Sequence, residues 1–204
     1  ILPESGIAAI YGPSGSGKTF IVLDILMALS MGTDWFNQKV RQQHKVVYLA
    51  LEGGAGIRNR INAYTKYHDI DNPENFRLVL DSYDIRRETS TLIQEIVSFE
   101  PSIVVIDTLA QSAPGLDENL NSDMSVVLQN AKAIASQING LCLLVHHTGK
   151  DASRGLRGHS SLLAALDAAI EVSHSRESGA RSWTLAKCKD GSTEYCGNFK
   201  LEMV

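Results

Sequence analysis

Eight residues near the start of the chain have the types and spacing that a phosphate-binding loop requires. They fit the Walker A pattern G-x-x-x-x-G-K-[ST] and read Gly12-Pro13-Ser14-Gly15-Ser16-Gly17-Lys18-Thr19. The glycines let backbone N–H groups close around phosphate oxygens, and a following helix offers further unpaired N–H groups. We expect Lys18 to reach the β- and γ-phosphates and the Thr19 hydroxyl to bind Mg²⁺. The loop and Phe20, which follows it, are therefore predicted to bind a nucleotide.

Two carboxylates follow apolar runs that are typical of buried strands. Asp107 ends the run 103–106 in the Walker B form and is expected to hold Mg²⁺, directly or through water. Glu52 ends the run 46–51 and could polarise the water that attacks the γ-phosphate. The alternatives are that Asp107 caps the next turn and that Glu52 is a solvated residue before a glycine turn.

Two histidines end another apolar run, 141–145. Side chains alternate along a strand, so His146 and His147 are expected to point to opposite sides. One of them could contact the γ-phosphate and report its loss to the following loop. Alternatively, one packs in the core and the other caps that loop. A zinc site is not expected, because the chain has no Cys/His set at metal spacing.

Basic residues form two further candidate groups. Lys150, Arg154 and Arg157 lie in a glycine-containing segment and could touch a phosphodiester backbone or the nucleotide of a neighbouring subunit. Lys187 and Lys189 have the spacing that sends two ammonium groups to one side of a strand. The alternatives are a solvated loop for the first group and a solvent-facing edge strand for the second.

The elements that must position these residues alternate between strand and helix. This order predicts an α/β fold of three layers with a mainly parallel central sheet and antiparallel strands at the C-terminal edge. Polar stretches at 111–121 and 148–159 are expected to be functional or mobile loops. The expected strands are 7–11, 45–51, 76–80, 102–106, 141–145, 168–173, 182–186 and 194–201, and the expected helices are 20–31, 56–68, 89–99, 122–139 and 160–165.

The bulk properties favour an ordinary globular domain. At 204 residues the chain is expected to form a single domain, 1–204, and its net charge of −4 does not favour strong nonspecific nucleic-acid binding by a monomer. An odd number of cysteines, without metal spacing, favours reduced thiols and a cytoplasmic location. No apolar run approaches the roughly 20 residues that cross a bilayer. The chain begins at Ile1 without Met, which suggests a domain taken from a longer chain.

Five motifs, in this order, resemble those of the RecA-like ATPases of the RepA type, plasmid and phage replicative helicases related to DnaB. The resemblance spans nearly the whole chain, and its most specific part is HH-x-x-K followed by RG-x-SS. The motifs are Gly12 to Thr19, Tyr48-Leu49-Ala50-Leu51-Glu52, Val104-Val105-Ile106-Asp107-Thr108-Leu109, Leu143-Leu144-Val145-His146-His147-Thr148-Gly149-Lys150 and Arg157-Gly158-His159-Ser160-Ser161.

The resemblance implies a RecA-like P-loop core that assembles as a hexameric ring with ATP between subunits. Glu52 would match the catalytic glutamate, Asp107 the Walker B acid and His147 the phosphate sensor. The loops after Asp107 and His147 would match those that face single-stranded DNA in the channel of the ring. The implied ligands are ATP and Mg²⁺, and replication proteins would be possible partners.

The sequence departs from the RepA type at the cation that acts in trans. At the end of the strand after RG-x-SS, where RepA-type helicases carry an arginine finger, we expect Glu171. Lys187-x-Lys189-Asp190-Gly191 instead resembles the K-x-R-x-G of DnaB-type helicases, with lysine in place of arginine. Lysine supplies charge but not the bidentate fork. The trans cation is therefore left open among Lys187, Lys189 and Arg154.

Three functions follow as hypotheses. The first is an enzyme, a ring-forming ATPase motor or helicase that moves along single-stranded DNA in replication. The second is a RecA-like ATP switch or loader in replication or recombination, without unwinding. The third is a phosphate-binding scaffold with little turnover, and Glu52, Asp107 and His147 at strand ends argue against it.

Overall fold

A single eight-stranded sheet organises the chain. The computed structural model describes residues 1–117, 120–148 and 160–204. The strands lie in the order β3-β2-β4-β5-β1-β6-β7-β8. The first six strands in this order are parallel to one another. At one side of the sheet, β7 pairs antiparallel with β6, and β8 pairs antiparallel with β7. The strands are β1 Gly6–Gly12, β2 Val46–Ala50, β3 Phe76–Val79, β4 Ile103–Asp107, β5 Leu141–His147, β6 Ala168–His174, β7 Arg181–Cys188 and β8 Cys196–Phe199.

Helices cover both faces of this sheet, so the predicted three-layer α/β fold is confirmed. Side chains of α1 and α2 pack on one face and those of α3, α4 and α5 on the other. Because both faces are covered, β1, β2 and β4 are buried almost throughout, as parallel strands usually are. The helices are α1 Lys18–Met31, α2 Gly54–His68, α3 Thr89–Ile96 with a 3₁₀ turn Val97–Phe99, α4 Asn121–Gln137 and α5 Ser160–Ala165.

The strand register brings the polar carboxyl ends of neighbouring strands together. We call this end of the sheet its carboxyl edge, and the end where the parallel strands begin its amino edge. Gly12 of β1 lies opposite His147 of β5, and Ala50 of β2 lies opposite Asp107 of β4. Asp107 in turn lies opposite Val145 of β5. The carboxyl ends of four neighbouring strands therefore meet where ligands of open α/β sheets bind.

The direction of β7 places Lys187 and Lys189 at the amino edge of the sheet. β7 runs back along β6, so that Arg181 pairs with His174 at the carboxyl edge and Cys188 pairs with Ala168 at the amino edge. Lys187 and Lys189 therefore lie at the amino edge of the sheet, away from the Walker A loop of their own chain.

No helix within the described residues is long and apolar enough to cross a bilayer.

Candidate functional site

The Walker A loop connects β1 to α1 and relies on its glycines. Gly15 and Gly17 have φ angles of 76° and 98°, which L side chains rarely adopt. A Cβ on Gly12 would lie 2.1 Å from the Val172 carbonyl oxygen of β6, so only glycine fits there. The loop then enters the helix as the N–H groups of Phe20 and Ile21 donate to the Gly17 oxygen at 3.0 and 3.2 Å.

A buried hydroxyl of the loop is left for a ligand. Ser16 is 1% exposed, and its Oγ has no hydrogen-bond partner among the described residues. Buried polar atoms are nearly always paired in folded proteins. An unpaired hydroxyl inside a glycine-rich loop at the start of a helix fits a phosphate, so the residues present fit the group that the motif implies.

Lys18 occupies the floor of the loop. It is 6% exposed, and its ammonium donates to the carbonyl oxygens of Gly12 and Pro13, each at 2.9 Å. His147 Nδ1 lies 3.2 Å from the same nitrogen. Burial lowers the pKa of Lys18 to about 8, against the opposing effect of the Asp107 and Glu52 carboxylates. The ammonium is thus held beside carbonyl groups that a phosphate could replace.

Asp107 ends β4 beside Tyr48, for which the sequence alone predicted no role. Asp107 is 7% exposed, and its Oδ2 accepts a hydrogen bond from the Tyr48 hydroxyl of β2. Burial raises the pKa of the Asp107 carboxyl, and the nearby Glu52 adds to this, whereas the Tyr48 hydrogen bond and Lys18 lower it. Tyr48 thereby fixes one oxygen of the proposed Mg²⁺ ligand.

Glu52 and His147 complete the group at the carboxyl edge. Glu52 is exposed on the cavity wall, where its Oε2 accepts a hydrogen bond from Thr108 Oγ1 at 3.3 Å. His146 is fully buried and His147 lines the cavity, so the predicted alternation of the two histidines is confirmed. The cavity is about 410 Å³ and is lined by Ser14, Gly15, Gly17, Lys18, Thr19, Phe20, Ala50, Glu52, Gly53, Gly56, Ile57, Arg60, Asp107, Thr108, His147 and Leu201.

A second cavity of about 370 Å³ adjoins the first. Phe20, Arg60 and Leu201 line both cavities, and the Arg60 guanidinium lies 5.1 Å from the centre of the Phe20 ring. Flat cationic and aromatic surfaces of this kind can stack on a nucleobase. Arg60 and Leu201 had no sequence signal, because they reach the site only through the packing of α2 and of the segment after β8.

The remaining predicted residues lie elsewhere. The Lys187 ammonium donates to the carbonyl oxygens of Leu163 and Ala164 at 2.8 and 2.9 Å, at the C-terminal end of α5. Lys189 donates to Asp167 Oδ1 at 3.3 Å. Neither lysine reaches the Walker A loop of its own chain. The predicted DNA contacts, Lys150, Arg154 and Arg157, lie outside the described residues.

The expected position of Glu171 needs correction. Glu171 is not at the end of its strand, because β6 continues to His174; it lies opposite Tyr11. Burial, with Glu171 as a second cause, raises the pKa of Tyr11 to about 12. In the stretch 111–121, Ser112 and Ala113 are buried in the turn after β4, whereas Gln111 is exposed.

Comparisons with known proteins agree with this fold. Residues 1–153 match a protein-family model described as an AAA domain. Two solved structures share the fold over 98% of this chain and 88% of their own. One is a RadB recombinase, with a TM-score of 0.70 and 19% identity. The other is a KaiC-like protein from the hyperthermophilic archaeon Pyrococcus horikoshii OT3, with a TM-score of 0.71 and 13% identity.

No protein with a curated function matches the sequence significantly. At the identities of the two solved structures, the likeness shows the fold alone. It is the fold of RecA-like P-loop ATPases, and it does not distinguish RepA-type or DnaB-related helicases from the rest of that group.

Proposed function

Because the chain belongs to the AAA domain family, we propose that it is a Mg²⁺-dependent ATPase that converts ATP and water to ADP and inorganic phosphate. The observation that carries this proposal is the cavity at the carboxyl edge. It gathers a Walker A lysine, two carboxylates and a histidine from the ends of four neighbouring strands or the loops that follow them. Phosphate cradle, metal ligand, base and sensor are the parts that phosphoryl transfer requires.

Each side chain has a proposed role. The N–H groups of residues 14–19 and the Lys18 ammonium bind the β- and γ-phosphates. Thr19 and Asp107 would hold Mg²⁺, which neutralises phosphate charge when bound. Glu52 orients the attacking water and takes up its proton, and the phosphate leaves as ADP is released. His147, whose Nδ1 lies 3.2 Å from the Lys18 ammonium, would contact the γ-phosphate when ATP binds and respond to its loss.

We further propose that the ATPase acts in DNA replication as a ring-forming translocase or helicase on single-stranded DNA. The motif resemblance at 146–161 supports this proposal, and so does the name of the similar RadB structure, a recombinase. The second candidate is an ATP-dependent switch or loader in replication or recombination, which would bind partners without moving along DNA. We also propose a cytoplasmic location, one domain over residues 1–204 and replication proteins as possible partners.

The late lysines fit a role between subunits. Since Lys189 lies at the amino edge of the sheet, it can reach an ATP only if that edge faces the carboxyl edge of another copy. Such a head-to-tail arrangement closes into a ring when the rotation permits. We propose Lys189 as the trans cation. The Lys189 ammonium donates to Asp167 at 3.3 Å, but its side chain is 65% exposed. Lys187 is the weaker candidate, because its ammonium donates to two carbonyl oxygens at the end of α5, at 2.8 and 2.9 Å.

Replacing Lys189 with alanine should lower kcat without weakening ATP binding, because the lysine would act only in the neighbouring site. Mixed with an excess of Glu52→Gln subunits, which supply an intact Lys189 but cannot hydrolyse, the variant should regain activity. Phosphate release and sizing with a nonhydrolysable ATP analogue measure this. Wild-type turnover by Lys189→Ala, or a monomer at every concentration, would contradict the trans role.

The proposal that the ATPase acts on single-stranded DNA can be tested by substituting basic residues that follow β5. Single-stranded DNA should stimulate ATP hydrolysis several-fold, and the double change Arg154→Ala/Arg157→Ala should abolish the stimulation while preserving the basal rate. Stimulation should fall with added salt, because phosphate contacts release counterions. Arg58→Ala/Arg77→Ala, which removes the same charge elsewhere, is the matched control. No stimulation of an active ATPase would favour the switch.

A further inference from the structure

Thr108 directly follows the proposed Mg²⁺ ligand and contacts the proposed base. Its Oγ1 donates a hydrogen bond to Glu52 Oε2 at 3.3 Å. Among the described residues, this is the only hydrogen bond to the Glu52 side chain. Thr108 itself is 5% exposed, so a nearly buried hydroxyl is directed at an exposed carboxylate.

Glu52 has little else to hold it. It follows the end of β2 and precedes Gly53, whose φ angle of 67° begins the turn into α2. An exposed glutamate loses side-chain entropy when one rotamer is selected, and a hydrogen bond from a fixed donor can compensate for that loss. Glu52 lines the same cavity as Lys18 and Asp107, so its side chain lies beside the proposed phosphate and metal positions.

The donor is fixed on its backbone side. The Thr108 carbonyl accepts hydrogen bonds from the N–H groups of Gln111 and Ser112, each at 3.1 Å, and so closes the turn after β4. Ser112 is fully buried, and its carbonyl accepts from the Ile85 N–H at 2.8 Å. On the other side, Leu109 donates to the Val145 oxygen of β5 at 2.9 Å. Thr108 is therefore immobilised by the sheet and by the neighbouring loop.

We propose that Thr108 is a positioning residue for ATP hydrolysis, which holds the Glu52 carboxylate where it can orient the attacking water. The inference rests on the proposed role of Glu52 as the base. It also connects that base to the turn at 108–112, from which the loop expected to face DNA continues.

The test compares the variants Thr108→Val, Thr108→Ala and Thr108→Ser by steady-state phosphate release. Valine keeps the shape and removes the donor, so kcat should fall about tenfold while KM for ATP stays within about twofold. Alanine removes the donor without adding an apolar branch and should give the same loss. Serine keeps the donor and should stay within about threefold of wild type. Thr65→Val makes the same change on a half-buried threonine of α2 that does not line the cavity, and it should have no effect on kcat.

A second arm separates this role from a structural one. In a Glu52→Gln background, Thr108→Val should cause no further loss, because the two residues act on one step. Wild-type kcat for both Thr108→Val and Thr108→Ala would overturn the proposal, as would equal losses for valine and serine. A lower kcat for Glu52→Gln together with a wild-type kcat for Thr108→Val would reject only the positioning role of Thr108. Wild-type turnover by Glu52→Gln would reject both the base and its positioning.

Discussion

Glu52→Gln is expected to bind ATP as tightly as wild type, within about twofold, and to lose about 10²–10⁴-fold in kcat. The substitution removes the base but not the phosphate cradle, which consists of backbone N–H groups and Lys18. Glutamine keeps an oxygen that can accept the Thr108 hydrogen bond, so the local structure should be preserved. Binding of a fluorescent ATP analogue and phosphate release under single-turnover conditions measure the two effects separately.

Glu74→Gln is the matched control, because Glu74 is exposed just before β3, at the opposite edge of the sheet. It should behave as wild type in both assays. A wild-type rate of phosphate release by Glu52→Gln would show that another group acts as the base.

Lys18→Ala is expected to have the second large effect, on binding as well as on hydrolysis. The ammonium is buried at the floor of the Walker A loop, where it supplies a positive charge beside the proposed γ-phosphate position. We expect ATP affinity to fall at least tenfold and phosphate release to become undetectable. Equilibrium binding of the ATP analogue, with hydrolysis measured in parallel, tests both.

The same lysine should make wild-type binding depend on pH. In the free protein, burial lowers the Lys18 pKa to about 8, and bound phosphates would stabilise the charged form and raise it. Below pH 8 the lysine is charged in both the free and the ATP-bound protein. Above pH 8 it is largely neutral in the free protein, so the protein must take up a proton when ATP binds. ATP affinity in EDTA should therefore fall by up to about tenfold per pH unit above pH 8.

Lys18→Ala should lose this slope, whereas Lys39→Ala should keep it. Lys39 is an exposed lysine whose ion pair with Asp34, at 3.1 Å, lies away from the cavity. A slope that persists in Lys18→Ala would assign the titration to another group.

The fold could be predicted from the sequence because its strands and helices carry strong local signals. The β-branched run 103–106 is buried on both faces and lies centrally in the sheet, as expected. Boundaries were less certain where side chains are polar. β8 covers only Cys196–Phe199 and is largely exposed, whereas the sequence predicted 194–201. The residues at the two ends of that stretch, Glu194, Tyr195, Lys200 and Leu201, are exposed, so burial does not extend the strand there.

The site was only partly readable, because several of its contacts join distant parts of the chain. The Walker A loop is local in sequence, and its phosphate cradle follows from residue types. The bond between Tyr48 and Asp107 depends on the register of β2 against β4. A tyrosine inside an apolar run was a signal that its hydroxyl needed a buried partner. The position of Lys189 at the amino edge depends on the return of β7 along β6, which no motif encodes.

The central claim is that the cavity at the carboxyl edge hydrolyses ATP with Mg²⁺. The most direct measurement is release of phosphate and ADP from ATP by the purified protein, with Mg²⁺ and with excess EDTA. The protein concentration should range from below to above that at which subunits assemble, and single-stranded DNA should be present or absent. We expect equal amounts of phosphate and ADP, multiple turnovers per chain and no release in EDTA. Tight ATP binding with no phosphate release under any of these conditions would contradict it.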